Sequence, residues 1–192
     1  VKDNGNAVTA YGDRIHKSLE LRLRDNTSLD QESGRYEALC SAIEKHSLGA
    51  DDLTTEEEMT LNQQLEPTGW WDDDAWLRSK IDVLVRRGDR AYMFDWKTGT
   101  RRPDFDQLEL FAVQVFKHYP AIERVKTSFV WLKEAAMDSQ TYTRDQAPAI
   151  WTKILAKIQR IEKSMETGNW PARPSGLCRW CPCNSFCQYA RR

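Results

Sequence analysis

The stretch that most constrains the fold is Asp95-Trp96-Lys97, an acid and a lysine two residues apart at the end of the apolar run Ala91-Tyr92-Met93-Phe94. An unpaired charge in such a run is expensive to bury, so the chain must fold in a way that gives both groups partners. The run is β-prone; as a strand it projects Asp95 and Lys97 from one side and Tyr92, Phe94 and Trp96 from the other. Upstream, Ile81, Val83 and Val85 alternate with Lys80, Asp82 and Leu84, which predicts a second strand with Asp82 on the face of Lys80 and Leu84. The polar segment Arg86-Arg87-Gly88-Asp89-Arg90 supplies a turn between them. Pairing the two strands brings Asp82, Asp95 and Lys97 together. Two carboxylates suit a hard cation such as Mg²⁺ or Mn²⁺, and an adjacent ammonium can orient water and offset charge developing on a phosphate, the equipment of phosphodiester hydrolysis. The competing reading is a surface hairpin with solvated charges.

Helical spacing of Ile15, Leu19 and Leu23 predicts an amphipathic helix over residues 12–24. It places His16 and Glu20 one above the other, as an extra metal ligand and an accessory carboxylate or as solvated residues. Residues 29–64 read as two helices split near Ser47-Leu48-Gly49-Ala50, the second opening on the acidic block Asp51–Glu58. Leu65–Trp71 reads as the first strand of a three-strand meander, with Trp70, Trp71 and Trp76 more in keeping with core than with base stacking. After Lys97, the basic loop Thr98–Pro103 offers Arg101 and Arg102 to phosphates, beside Lys80. Asp104 caps a helix on which Gln107, Phe111 and Gln114 share a face; Gln107 serves either the cap or the acidic site. Strands over 125–132 and 139–143 precede a helix over 146–167 that buries Ile150, Ile154, Ile158 and Ile161. The expected fold is α/β, a mixed central sheet flanked by helices. It forms one domain over residues 1–192, divided into the helix at 12–24, an acidic helical segment at 25–65, a sheet and helix at 66–145 and a C-terminal part at 146–192.

At 192 residues, 40% of them hydrophobic, the chain can build one substantial core. No apolar run approaches a membrane span, and Val1–Asn6 lack the apolar core of a secretory signal, so a soluble, cytoplasmic protein is expected. The net charge of −1 conceals a strong asymmetry: residues 25–75 carry fourteen acids and two basic residues, residues 76–192 twenty-one basic residues and twelve acids. A polyanion could meet the basic part, while residues 25–75 form a solvated acidic face or dock a protein partner.

Four of the five cysteines crowd into Cys178, Cys181, Cys183 and Cys187. Without a secretory signal such density reads as metal ligation, of zinc or an iron–sulfur cluster, before disulfides. The tail could form a local site. Alternatively Cys40 joins Cys178, Cys181 and Cys187 as a long-range staple, unless Cys40 is simply a small core residue beside Leu39 and Ile43.

The order His16, Asp82, Asp95-Trp96-Lys97-Thr98-Gly99 and Gln107 resembles the RecB-like branch of the PD-(D/E)XK nucleases. The tail Cys178-x2-Cys181-Pro182-x4-Cys187 is similar to that of its iron–sulfur members, the CRISPR adaptation exonucleases and AddB-type helicase–nuclease subunits, and related phage exonucleases. The resemblance implies a restriction-endonuclease-like core. It implies Mn²⁺ or Mg²⁺ on His16, Asp82, Asp95 and the Trp96 backbone carbonyl, with Lys97 as catalytic lysine and Gln107 opening a Gln-x-x-x-Tyr helix motif. It also implies DNA as substrate and a [4Fe–4S] cluster. Ser79 stands where the family often has glycine, and Phe111 where it has tyrosine. The family's first cluster cysteine precedes the His16 helix; here Cys40, Cys183 or a residue ahead of Val1 would have to substitute. The expected activity is exonucleolytic cleavage of single-stranded or frayed ends, in recombination, repair, or phage or CRISPR DNA processing. Its rivals are a DNA-binding or scaffold subunit with little cleavage, and an interaction protein using the acidic segment.

Overall fold

The computed structural model describes residues 7–102 and 104–190; the leader reading of Val1–Asn6 lies outside them. Two helices come first, α1 (Ala7–Asp25) and α2 (Glu37–Ser47), followed by strands β1 (Asp52–Leu61), β2 (Leu77–Arg87) and β3 (Arg90–Lys97). Helix α3 (Phe105–His118), strands β4 (Arg124–Trp131) and β5 (Ala136–Thr143) and helix α4 (Ala147–Thr167) complete the order. The strands form one sheet in the order β1-β2-β3-β4-β5, antiparallel except for the parallel β3–β4 pair. Helix α3 lies in the β3–β4 crossover, as a parallel connection requires.

Each face of the sheet buries its own core. One packs Ile15, Leu19 and Leu23 of α1 and Cys40 and Ile43 of α2 on Val83, Val85, Phe94 and Trp96. The other packs Leu108, Phe111, Val115, Ile150 and Ile154 of α3 and α4 on Met59, Leu84, Met93, Val125 and Phe129. The central strands are thus covered on both faces and apolar on both sides, as sandwiched strands must be, while the edge strand β5 stays largely exposed.

Four local expectations are corrected. The second helix expected within 25–65 is strand β1, because pairing along β2 outweighs the helical preference of the Glu run, and Thr54, Thr55 and Thr60 suit an extended edge. Leu65–Trp71 is therefore not the first strand of the meander. It belongs to a loop in which Asn62 Oδ1 accepts the N–H groups of Gln64 and Glu66 at 3.0 Å each, and Leu65 has φ 61°. Trp71 on that loop is 84% exposed, against its expected place in the core. Finally, α4 outruns the core: Ile150 and Ile154 are buried, while Ile161 is exposed.

The acidic segment is largely neutralised from within. Arg22 holds Glu37 and Glu44, Arg14 holds Glu32, Arg86 holds Asp52 and Lys80 approaches Glu56 and Glu58. Of these only the Arg22 guanidinium is well covered, and it ties α1 to α2 through hydrogen bonds of 2.6 Å to Glu37 and 2.7 Å to Glu44. Arg22→Ala is expected to destabilise the protein by about 1–3 kcal/mol in urea unfolding, since it removes several charge-assisted hydrogen bonds from partly exposed partners.

Candidate active site

The alternation of β2 slips at Asp82. Ile81 and Leu84 pack in the α3/α4 core, Val83 and Val85 in the α1/α2 core, and Asp82 faces α1 rather than sharing the side of Leu84. On β1 the pairing runs Thr55↔Val83 and then Glu57↔Ile81, and Glu56, opposite Asp82, sits in the left-handed region at φ 54°. A non-glycine residue held there stores strain, and such local distortions re-aim side chains beside functional sites. Here the kink turns Glu56 and Asp82 together toward His16. Ligand atoms of His16, Glu56 and Asp82 lie within 4.8 Å of one another, the one such group among the described residues.

The β2–β3 ladder runs from Arg87↔Arg90 to Val83↔Phe94, and there a carboxylate replaces it: Asp82 Oδ2 accepts the Trp96 N–H at 2.7 Å. Asp82 Oδ1 lies 3.2 Å from His16 Nδ1. Burial alone would lower the His16 pKa, but the hydrogen bond to Asp82 and the charges of Asp82, Asp95 and Glu56 prevail, and the net shift is upward. Burial and Asp82 raise the Glu56 carboxyl against the opposing pull of Lys80.

Asp95 and Lys97 point to the α3 side of β3. Lys97 Nζ lies 2.6 Å from Asp95 Oδ2 and donates to Gln107 Oε1 at 3.0 Å, while Gln107 Nε2 donates to Asp95 Oδ1 at 3.2 Å. The Lys97 ammonium also stands 5.0 Å above the Phe129 ring. Asp104 caps α3 through the Asp106 N–H at 3.1 Å, which leaves Gln107 free to join the acid and lysine instead of a capping box. Asp95 Oδ2 is buried and, despite the near ammonium, lacks a partner in hydrogen-bonding geometry. Burial lifts the Asp95 carboxyl to about 6, with Lys97 opposing and Asp82 reinforcing the rise.

A cleft of about 600 Å³ opens over this point between α1, the kinked strands and the loop after β3, lined among others by Gly12, His16, Glu56, Asp82, Trp96 and Lys97. A Cβ at Gly12 would stand 3.1 Å from Thr98 Oγ1, so the glycine lets α1 approach that loop. The donors are imidazole and carboxylate, with the buried Asp95 carboxylate behind them. That set fits a hard divalent cation.

Not every expected residue converges. Glu20 reaches the cleft, but its carboxylate is taken by Lys17 at 2.8 Å and by Arg24. Phe111 is 4% exposed in the α3/α4 core and does not line the cleft. Arg101 is bound to Asp138 of β5, Arg102 is exposed, and Lys80 lines the cleft beside Glu56. Glu56 was missed: it sat in an acidic run that reads as a helix start, and only the pairing of β1 with β2 sets it opposite Asp82. Cys40 is fully buried in the α1/α2 core, and burial pushes its thiol up to about 11. The four tail cysteines are free and half-exposed or exposed, and among the described residues they do not bring three ligand atoms together.

A kinked mixed sheet with an acid–acid–lysine centre at its splayed strands defines a class of hydrolytic site. The chain belongs to the PD-(D/E)XK nuclease superfamily, whose model matches residues 2–188. The family match supports a phosphodiester-cleaving nuclease, and nucleases of this superfamily use divalent metals such as Mg²⁺ or Mn²⁺. In fold it is similar to a "putative exonuclease" from Eubacterium rectale, with a TM-score of 0.52 and 14% identity, covering 100% of this chain and 78% of the other. The crystal structure of SSO0001 matches at a TM-score of 0.42 and 12% identity, over 96% of this chain and 82% of that one. No curated protein matches the sequence. Among the described residues no helix is long and apolar enough to cross a membrane.

The raised Asp95 carboxyl has a measurable sign. Unfolded, it titrates near the ordinary 3.8; folded, at about 6. Below the lower value both states are protonated and there is no penalty; above the higher one the folded state carries a buried charge, so stability falls as pH rises through this window. In chelator-treated protein Asp95→Asn is expected to raise stability by about 1–3 kcal/mol at pH 8, with the gain vanishing toward pH 4 in parallel unfolding curves.

Proposed function

We propose that the protein is a metal-dependent deoxyribonuclease acting exonucleolytically on single-stranded or frayed DNA ends. The observation that carries this reading is the meeting, where β2 and β3 part, of the His16–Glu56–Asp82 group with the Asp95–Lys97–Gln107 cluster. His16, Asp82, Asp95 and the Trp96 carbonyl would hold Mg²⁺ or Mn²⁺, with Glu56 as a further carboxylate. Such an ion supplies an activated water and offsets charge on the phosphate. Lys97, held between Asp95 and Gln107, presents its ammonium to the developing negative charge, and Gln107 fixes both in place. Lys80 at the cleft and Arg102 on the loop favour a polyanion, and Trp70, whose ring lies 5.6 Å from the Lys80 ammonium, offers an aromatic face beside the cleft.

End-labelled single- and double-stranded DNA incubated with Mn²⁺ or Mg²⁺ tests this. Asp82→Asn, Asp95→Ala and Lys97→Ala are each expected to lose about a hundredfold or more in rate, and Glu56→Gln to lose activity alongside them. Inert wild type, or equal cleavage by the variants, refutes the enzyme reading; uniform internal cutting refutes the exonucleolytic part.

For the tail we propose, on its resemblance to the iron–sulfur members of the family, one local thiolate site of Cys178, Cys181 and Cys187 with Cys183 as the fourth ligand, holding an iron–sulfur cluster rather than zinc. Anaerobically purified protein is expected to contain iron and sulfide, lost in Cys181→Ser and Cys187→Ser and kept in Cys40→Ser. Zinc in place of iron, or no metal at all, overturns it.

A further inference from the structure

A second cavity adjoins the cleft. It holds about 330 Å³ and is lined by Tyr11, Arg35, Tyr36, Thr98 and Lys133. Thr98 lines both cavities, and the close passage of Gly12 against Thr98 forms the seam between them.

The pocket is built from three parts of the chain, each tied to the sheet or to α1. Leu132 N donates to Lys97 O at 2.9 Å, extending the β3–β4 pairing by one residue and setting Lys133 beside Thr98. The turn carrying Arg35 is closed by Tyr36 N to Ser33 O at 2.8 Å, and Ser33 Oγ meets Ser18 Oγ of α1 at 2.6 Å. Arg35 donates to the Tyr11 hydroxyl at 2.6 Å and lies 4.9 Å from the centre of the Tyr36 ring. The Tyr11 hydroxyl also lies 3.5 Å from the Tyr36 hydroxyl, and whichever of the two donates to the other, one phenolic proton of the pair is left for an incoming acceptor.

The pocket's cations are unspent. Arg14 on α1 is matched by Glu32 and Arg101 by Asp138, whereas among the described residues no carboxylate lies within ion-pair distance of Arg35 or Lys133. Two unmatched cations and a phenol around one cavity make an anion receptor. The guanidinium supplies planar paired donors and the ammonium a mobile point charge, a combination suited to phosphate.

We propose that this pocket binds a phosphate of the substrate strand, so that the strand passes over Thr98 with one phosphate in the cleft and a neighbouring one between Arg35 and Lys133. The proposal rests on the nuclease reading and adds a strand path to it. Arg35 and Lys133 are positioning residues: they hold the strand and do not touch the reacting atoms. The phosphate belongs either to an internal diester or to a strand terminus.

Binding separates this from catalysis. Fluorescence anisotropy of labelled single strands, with chelator and at several salt concentrations, is expected to show Arg35→Ala and Lys133→Ala each weakening binding about fivefold or more. Each is also expected to reduce the salt dependence by about one phosphate contact, while Lys126→Ala on the far end of β4 changes neither. With divalent metal, KM is expected to rise and kcat to hold. Lys133→Ala is expected to keep the wild-type melting temperature, which excludes misfolding as the cause. Strands bearing a 5′-phosphate, a 3′-phosphate or neither distinguish the sources. A preference for one end that Lys133→Ala abolishes assigns a terminal phosphate, and equal binding of all three with the same losses assigns an internal one. Wild-type binding and KM retained by both alanine variants overturn the pocket alone. Wild type that binds but never cleaves overturns the nuclease reading and leaves anisotropy to judge the pocket; wild type that binds no strand overturns both.

Discussion

The site depends on one hydrogen bond that a regular sheet would not contain. Asp82 Oδ2 takes the Trp96 N–H at 2.7 Å where the β2–β3 ladder has ended. A side-chain acceptor in that place satisfies a buried backbone donor while the two strands separate, so the Trp96 amide keeps a partner where the strands splay. The separation in turn lets residues from opposite faces of the sheet meet at one point. His16 and Glu56 come from the α1 side, Gln107 from the α3 side, and Asp82 and Asp95 link the two. Both cores hold the strand ends fixed around that gap, through Val83 and Trp96 on one face and Leu84 and Met93 on the other.

Such a concentration of carboxylates under a cleft is unfavourable for the isolated fold. Asp95 shows it most clearly: it is 5% exposed, and burial lifts its carboxyl against the pull of Lys97. The left-handed backbone at Glu56 adds local strain in the same place. Both are explicable as costs retained for function, because a cation among these acids would relieve the repulsion that the strained geometry creates. The acidic early segment, by contrast, is drawn onto Arg22, Arg86 and Lys80.

Much was legible from sequence because it rests on local periodicity. The helix carrying His16, the hairpin carrying Asp82 and Asp95-Trp96-Lys97, and the helix opened by Asp104 all follow from spacing, turn residues and capping, which act over a few residues. From β2 onward the order of strands and helices was readable for the same reason. Less legible were segments whose local preferences conflict with their tertiary surroundings. The Glu56–Glu58 run prefers helix but pairs with β2, and Trp71 has the size of a core residue but lies exposed on a loop that anchors itself to the core through Leu65 instead. Ile161 keeps helical spacing beyond the point where the sheet ends.

By itself the sequence determined which chemical groups were present and which element carried each: an imidazole, two acids and a lysine, with an amide one helix later. Only the tertiary structure decided how they face one another. Strand alternation put Asp82 with Leu84, and the paired kink at Glu56 and Asp82 reversed that, bringing Glu56 to His16 and Asp82 to the Trp96 amide. The reason is physical. Local sequence sets the period of a strand, but a slip in that period is fixed by the partner strand and by the two cores competing for its side chains.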